Sequence, residues 1–293
     1  MKNYARTDLA CESVPSGIKK GVFDGVSIDL DTCDGVEVIK TEVLDEKGEA
    51  KTGRKRGKYI TLCCGKVWMY GEEEISKIRH VIAQNIKNVL DASAKGASKI
   101  LVAGLGNRFI TADALGPLTI DKMTATRHMK DVNRRVFDAI GRCELSLIAP
   151  GVVGQTGVEA SDIISGMAKC TGAECIIVID ALASRSTDRL CSTVQISDTG
   201  IHPGAGIGNS RKEISQKTMN VPVISIGVPT VVDSATMIYD ALEKADLGSV
   251  SKELESVLSN GKSFFVSPKE SDIVVSAMSE LLASAITSAV GNK

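Results

Sequence analysis

Two stretches decide the fold: Lys99-Ile-Leu-Val-Ala-Gly-Leu-Gly-Asn-Arg-Phe-Ile-Thr-Ala-Asp113 and Cys175-Ile-Ile-Val-Ile-Asp180-Ala-Leu-Ala183. Each opens with an apolar run rich in β-branched side chains, the pattern of a strand buried on both faces of a parallel sheet. Each then passes into small residues and an aspartate. In open α/β sheets, sites collect at the carboxyl ends of the strands. Two carboxylates delivered there from different strands can share one pocket, which pushes their pKa values apart and divides acid from base work. The competing reading of each aspartate is a helix N-cap or a turn. Asp113 suits a cap, because Ala-Leu-Gly-Pro117 follows it. Asp180 suits one less well, because a charge ending an apolar run is costly.

Outward from these strands the pattern alternates. Apolar spacing predicts a helix over Glu72–Ala94, a strand at 99–104, and a helix over Asp113–Met129 whose early Pro117 is tolerated in a first turn. A strand follows at Glu144–Ala149, a helix at Val158–Cys170, and strands at 175–180, 191–196 and 221–227. Ser234–Lys244 and Asp272–Val290 read as helices. This order predicts an α/β fold, with a mostly parallel sheet flanked by helices. Residues 14–71 differ. Gly21–Asp31 and Gly35–Leu44 alternate apolar with polar, Glu46–Lys58 reads as a charged loop, and Lys58–Cys64 as another strand, so the N-terminal portion is expected to be β-rich.

The 293 residues are 43% hydrophobic, enough for one large core. Lys+Arg 35 against Asp+Glu 36 gives a net charge of −1, which excludes a global basic footprint for nucleic acid or an anionic membrane. Aromatics at 3% argue against base stacking. The apolar stretch near Val221–Val232 carries two prolines and is too short to span a bilayer. Met1–Asp8 has no apolar signal core, so secretion is not expected. The eight cysteines form no Cys-x-x-Cys and read as reduced thiols.

Several motifs lie at the expected sheet edge. Gly104-Leu-Gly-Asn107 follows a strand, but a dinucleotide fingerprint needs glycine where Phe109 stands. Gly151-Val-Val-Gly-Gln-Thr-Gly157 is a second glycine turn, with Gln155 facing the same edge. Ile201-His-Pro-Gly-Ala-Gly-Ile-Gly-Asn209 could cradle an anion or contact substrate and leads toward a helix near Ser210, but it lacks the P-loop ending. His202 within it is a candidate acid/base group. Asp198-Thr-Gly200 matches the triplet of pepsin-like proteases, but those all-β enzymes need two copies, so a turn is the better reading. Ser184 lacks a nucleophile elbow, the cysteines lack an activating signature, and three scattered histidines give little basis for a metal site.

Taken together, Arg6-Thr-Asp-Leu-Ala10, Gly104-Leu-Gly-Asn107, Asp113-Ala-Leu-Gly-Pro117, Pro150-Gly-Val152, Gln155-Thr-Gly157, Ile179-Asp-Ala-Leu-Ala-Ser-Arg185, Gln195–Gly204 and Gly227-Val-Pro-Thr-Val-Val-Asp233 resemble the germination protease of spore-forming bacteria over almost the whole chain. The resemblance implies an atypical aspartic-type endopeptidase that degrades small acid-soluble spore proteins in the spore cytoplasm. It also implies a self-processing, tetrameric zymogen without nucleic-acid or membrane partners. It puts the catalytic aspartates at Asp113 and Asp180, without assigning acid and base, and leaves Asn107, Gln155 and His202 as candidates to orient substrate or hold an oxyanion. The implied fold is that of hydrogenase-maturation proteases. Those bind a metal through a carboxylate in the loop matching 107–116. Ala114 stands at that position, so no metal or other cofactor is expected. The implied substrates are cut in a Thr/Ser-Glu, then Ile/Phe-Ala-Ser-Glu pattern, and Thr7-Asp-Leu-Ala-Cys-Glu12 imitates it. A pro-segment of 1–8, a cut between Asp8 and Leu9, and a peptidase domain of 9–293 are therefore expected. The alternatives are a metal-dependent maturation-type peptidase and a non-catalytic module that binds spore proteins.

Overall fold

The computed structural model describes residues 6–14, 20–139, 143–204, 211–245 and 264–291, with isolated positions at 253, 254, 256 and 258. Among them, one ten-stranded sheet organises the chain. Its first half begins with β1 (Lys20–Phe23), β2 (Val26–Cys33), β3 (Val36–Val43) and β4 (Gly57–Cys63). Asp24-Gly25 and Asp34-Gly35 join the first three, and all four residues have positive φ. That is the tight hairpin chemistry that forces antiparallel pairing. The second half holds β5 (Lys99–Gly104), β6 (Glu144–Ile148), β7 (Cys175–Ser184), β8 (Thr193–Ser197) and β9 (Val223–Asp233), with the short β10 (Phe265–Val266) on β9. The order is β1-β2-β3-β4-β8-β9-β7-β5-β6. Only β9, β7, β5 and β6 pair in parallel. The α/β class with flanking helices is as expected. The sheet is mixed rather than mostly parallel, because the β-rich portion joins it antiparallel through β4 on β8.

Helix α1 (Glu46–Thr52) replaces the expected charged loop. The Asp45 carboxylate accepts the Gly48 N–H at 3.0 Å, and Gly53 closes the helix at φ 65°. These caps carry a segment that has no apolar stripe. Helix α2 (Glu72–Ser93) follows the expectation within a residue. Three glutamates at its start favour the positive helix terminus, and Ile78, Val81, Ile82, Ile86, Val89 and Leu90 form its buried stripe. The helix expected over 113–129 is shorter: α3 spans Leu115–Asp121, with Pro117 in its first turn. Short helices α4 (Met129–Val132) and α5 (Arg134–Ala139) follow. The remaining helices are α6 (Val153–Thr156), α7 (Ala160–Thr171), α8 (Gln216–Met219), α9 (Ser234–Lys244) and a C-terminal helix, Ser271–Gly291. The last is long and apolar enough to cross a bilayer, contrary to the reading from sequence. Its Val275, Met278, Leu282 and Ile286 are buried in the core.

Alternation along β7 separates two cores. Ile177 and Ile179 pack with α2, α3 and the C-terminal helix, while Ile176 and Val178 pack with Ile164 and Ala168 of α7. Asp180 continues the second face. Toward β3 and β4, Ala10 packs against Val43 and Tyr59.

The β5–α3 junction holds backbones so close that a Cβ on Gly116 would stand 2.3 Å from the Leu105 carbonyl oxygen and 2.5 Å from its nitrogen. Backbone cannot yield there as a flexible side chain would. Gly116→Ala is therefore expected to destabilise by about 1–3 kcal/mol, despite alanine's better helix propensity. A urea midpoint equal to the parent's would show that the junction has slack.

Candidate active site

β7 does not end at Asp180. β5 stops with Gly104 opposite Ile179, but β9 accompanies β7 onward to Ser184. Asp180 therefore sits inside a strand with one side newly vacated. Across the sheet, Asp180 pairs with Gly227 of β9, and Gly227 pairs with Gln195 of β8. The three positions share a face, and the missing side chain at Gly227 makes room for Leu182, whose side chain would lie 2.5 Å from a Cβ there. Asp180 is 6% exposed. Burial first, then the charges of Asp113 and Asp8, push its carboxyl well above the ordinary carboxylate value, against one opposing hydrogen bond from Ala181 N–H at 3.0 Å.

Asp113 arrives from the loop after β5. Its Oδ2 accepts the Asn107 N–H at 2.7 Å. Gly106, at φ +113°, makes this possible, because a Cβ there would lie 1.9 Å from the Asp113 carbonyl. Asp113 does not cap α3, since Ala114 holds that position and is buried. The capping alternative is thus set aside. Burial raises the Asp113 carboxyl as well, opposed by the Asn107 hydrogen bond. Asp113 and Asp180 line one cavity of about 160 Å³, together with Asp8.

The other candidates divide. Gln155 Nε2 donates to Asn107 Oδ1 at 2.8 Å, so Gln155 reaches Asp113 only through Asn107, whose N–H bonds the carboxylate. His202 lies in a neighbouring cleft of about 460 Å³ that also reaches Asp180, and its Nε2 is 3.4 Å from Glu213 Oε2. Residues 205–210 of its glycine-rich loop lie outside the described residues. The helix expected near Ser210 therefore begins outside the described residues; 211–213 carry no helix, Ile214 bridges back to Ile201, and α8 follows. Asp198 accepts the Lys58 N–H at 2.8 Å and ties β4 to β8, as a turn residue would. Among the described residues, no three His, Cys, Asp or Glu side chains gather closely enough to hold a metal ion.

The site also holds a stretch of its own chain. Asp8 exchanges bonds with Ala183 on the side β5 vacated: its N–H donates to Ala183 O at 2.7 Å, and its Oδ2 accepts Ala183 N–H at 2.8 Å. Gln195 grips the segment twice, donating from Nε2 to the Asp8 carbonyl at 2.9 Å and accepting the Ala10 N–H at 2.7 Å. Leu9 and Ala10 are fully buried. Arg54 Nη1 stands 3.8 Å from Asp8 Oδ1, and Arg54 Nη2 donates to the Thr7 carbonyl. Glu12 accepts Arg185 N–H at 2.7 Å and Ser186 N–H at 3.1 Å, with Arg189 Nε at 3.4 Å. Sequence reasoning missed Arg54, Arg189 and Gln195. In β8 Gln195 alternates with Val194 and Ile196 just as Thr193 and Ser197 do, so nothing in the strand's sequence singles it out.

The sequence profile described as germination protease matches residues 7–257. A germination protease of Clostridium acetobutylicum is 38% identical, over 98% of this chain and 95% of its own. One from Geobacillus is 41% identical, over 81% of this chain and 66% of its own. Among solved structures, the [NiFe] hydrogenase maturation protease HycI of Thermococcus kodakarensis is similar at TM-score 0.38 and 14% identity, covering 69% of this chain and 98% of that one.

A carboxyl raised by burial favours folding while protonated, and that contribution is lost as pH rises through its folded-state value. Asp180→Asn, which has no charge to bury, is therefore expected to raise Tm at neutral pH. The gain should fade as pH falls toward the ordinary carboxylate value of 3.8. Thermal melts of both proteins across that range check this, and a gain independent of pH would contradict the burial of a charge.

Proposed function

Because the chain belongs to the germination protease family, whose profile spans residues 7–257, and is thus a peptidase of spore germination, we propose that it hydrolyses peptide bonds with Asp113 and Asp180 and first cuts itself between Asp8 and Leu9. One observation carries this reading. The intact segment lies across the site with the Asp8 carbonyl on Gln195 Nε2 at 2.9 Å, in a cleft shared with Asp180.

The two environments suggest a division of labour. Asp180 is the more deeply buried and has two carboxylates near it, so it holds a proton and serves as the acid. Asp113 has the Asn107 N–H to support its charge and serves as the base. Asp113 removes a proton from water as the oxygen adds to the Asp8 carbonyl carbon. The developing oxyanion is held by Gln195, whose donor already points at that oxygen. As the C–N bond breaks, Asp180 passes its proton to the Leu9 nitrogen. The products are a carboxylic acid and an amine. Asn107 and Gln155 orient Asp113, while His202 borders the substrate cleft.

In this reading residues 1–8 are a pro-segment and 9–293 the peptidase domain. The enzyme is an aspartic-type zymogen, a homotetramer of the spore cytoplasm, and its substrates are small acid-soluble spore proteins. Acid and base both come from the chain, so no metal or other cofactor is required.

Asp113→Asn and Asp180→Asn are each expected to slow peptidase activity by about 100- to 10,000-fold without unfolding the protein. Mass mapping of fragments from a small acid-soluble spore protein measures this, with circular dichroism as the fold check. Full activity in either variant would remove that aspartate from the mechanism. Chelator should leave the parent's rate unchanged, and N-terminal sequencing of the processed chain should begin at Leu9. A start elsewhere would mean that the docked segment is not the substrate.

A further inference from the structure

The stretch Gly227-Val-Pro-Thr-Val-Val-Asp233 stands out in the sequence, yet the proposed chemistry leaves most of it without a task. It forms the second half of β9. There the pairing with β7 slips. Leu182 stands opposite Pro229 and Ala183 opposite Val231, so Thr230 is an extra residue with no counterpart on β7. A bulge of this kind turns a side chain out of the regular alternation, and bulges collect beside active sites. Thr230 is 1% exposed. Its Oγ1 donates to the Ala112 carbonyl at 2.6 Å, reaching from β9 to the loop that carries Asp113. We propose that Thr230 is a positioning residue for Asp113, and that the bulge aims its hydroxyl at the peptide group just before that carboxylate. The inference rests on the reading that Asp113 and Asp180 act together.

The two aspartates come from separate stretches of backbone, so something must fix the distance between them. Asp180 lies on β7, which β9 holds on one side. Asp113 has ties within its own loop: Asn107 N–H donates to its carboxylate, and its own N–H donates to Ile110 O at 2.8 Å. Leu105 N–H joins the start of this loop to Ile179 O at 2.8 Å, well before Asp113. The Thr230 hydroxyl meets the other end of the loop, one residue from Asp113. It thereby sets where Asp113 stands against the β7–β9 pair, and hence against Asp180. One carboxylate must reach water while the other reaches the leaving nitrogen, and a misplacement of about 1 Å can slow such a step about 100-fold. Threonine suits the task. Its branched Cβ is at home in a strand, and a buried hydroxyl needs a partner.

The test makes Thr230→Val, Thr230→Ser and Thr230→Cys in the full-length chain. It follows the rate of self-processing, then kcat and KM on a small acid-soluble spore protein. Valine keeps the shape and removes the donor. It is expected to slow self-processing and to lower kcat by about 10- to 100-fold, with KM near the parent's. Serine keeps the donor and should return most of the rate, although it gives up a buried methyl group. A threonine that only fills space predicts the reverse order, with valine tolerated and serine the more damaging. The pH profile gives a second readout. Asp113 and Asp8 are the charges that help keep the proton on Asp180, and Asp8 leaves with the cut in every variant alike. If Asp113 drifts away, Asp180 gives up its proton more readily, so the alkaline limb of kcat should move to lower pH with valine and stay in place with serine. Should the valine variant fail to fold, cysteine replaces it as a poor donor of similar size, with the same direction expected. A valine variant with the parent's kcat and pH profile, or a serine variant slower than the valine one, overturns the inference. Asp113→Asn in the same assay separates this from the reading beneath it. Full activity there removes the two-aspartate mechanism and the inference with it, while its loss beside a normal Thr230→Val removes the inference alone.

Discussion

A carboxylate buried inside a strand is the constraint around which this protein is arranged. Asp180 can occupy the middle of β7 because β5 and β9 leave it unequally. β9 stays paired with β7 as far as Ser184, through a bulge between Leu182 and Ala183, while β5 stops opposite Ile179 and opens one side. Burial and the neighbouring carboxylates of Asp113 and Asp8 raise the Asp180 carboxyl well above the ordinary value, the direction that favours the neutral form. Asp113 could not come close without the glycines at 104, 106 and 116, which let the loop after β5 and the start of α3 pack against the strand. The chemistry and the tightest packing in the fold are thus the same feature seen from two sides.

The vacated side of β7 has a second consequence. A strand edge with free N–H and C=O groups is a template for an extended peptide. Asp8 takes that place through Ala183, and Gln195 holds the Asp8 carbonyl and the Ala10 N–H from β8. In this way backbone bonds fix the register of the chain's own segment, and the Asp8 and Glu12 side chains each meet an arginine.

Much of this was legible in the chain, for identifiable reasons. The central strands announce themselves because burial on both faces demands uninterrupted apolar runs. α2 does so because one face of a helix repeats. The aspartate pair stands out because a charge directly after such a run has few bland explanations. Other features lack a local cause. β7 and β9 outrun their apolar runs because their ends are set by each other. The antiparallel half follows from hairpins at Asp24-Gly25 and Asp34-Gly35, whose joining to the parallel half depends on β4 meeting β8. α1 is held by its caps and looks like a charged loop. Arg54 and Arg189 sit in polar stretches indistinguishable from solvated surface. Their meaning depends on meeting Asp8 and Glu12 across 46 and 177 positions of chain.

If the bond after residue 8 is cut as proposed, the depth at which Leu9 is buried governs the fate of the chain. The downstream product, Leu9 to Glu12, remains covalently joined to the enzyme. A tethered group of this kind competes at a local concentration on the order of millimolar, so a site emptied on one side stays filled on the other. The same cut would create an α-ammonium on the main-chain nitrogen of a residue that has no exposure, and a charge newly made in such a place is strained until it reaches water. The proposed cleavage would thus generate both a resident inhibitor and the force that loosens it. Release of the new N-terminus, rather than breaking of the bond, becomes the step that turns a processed chain into one able to take a second substrate.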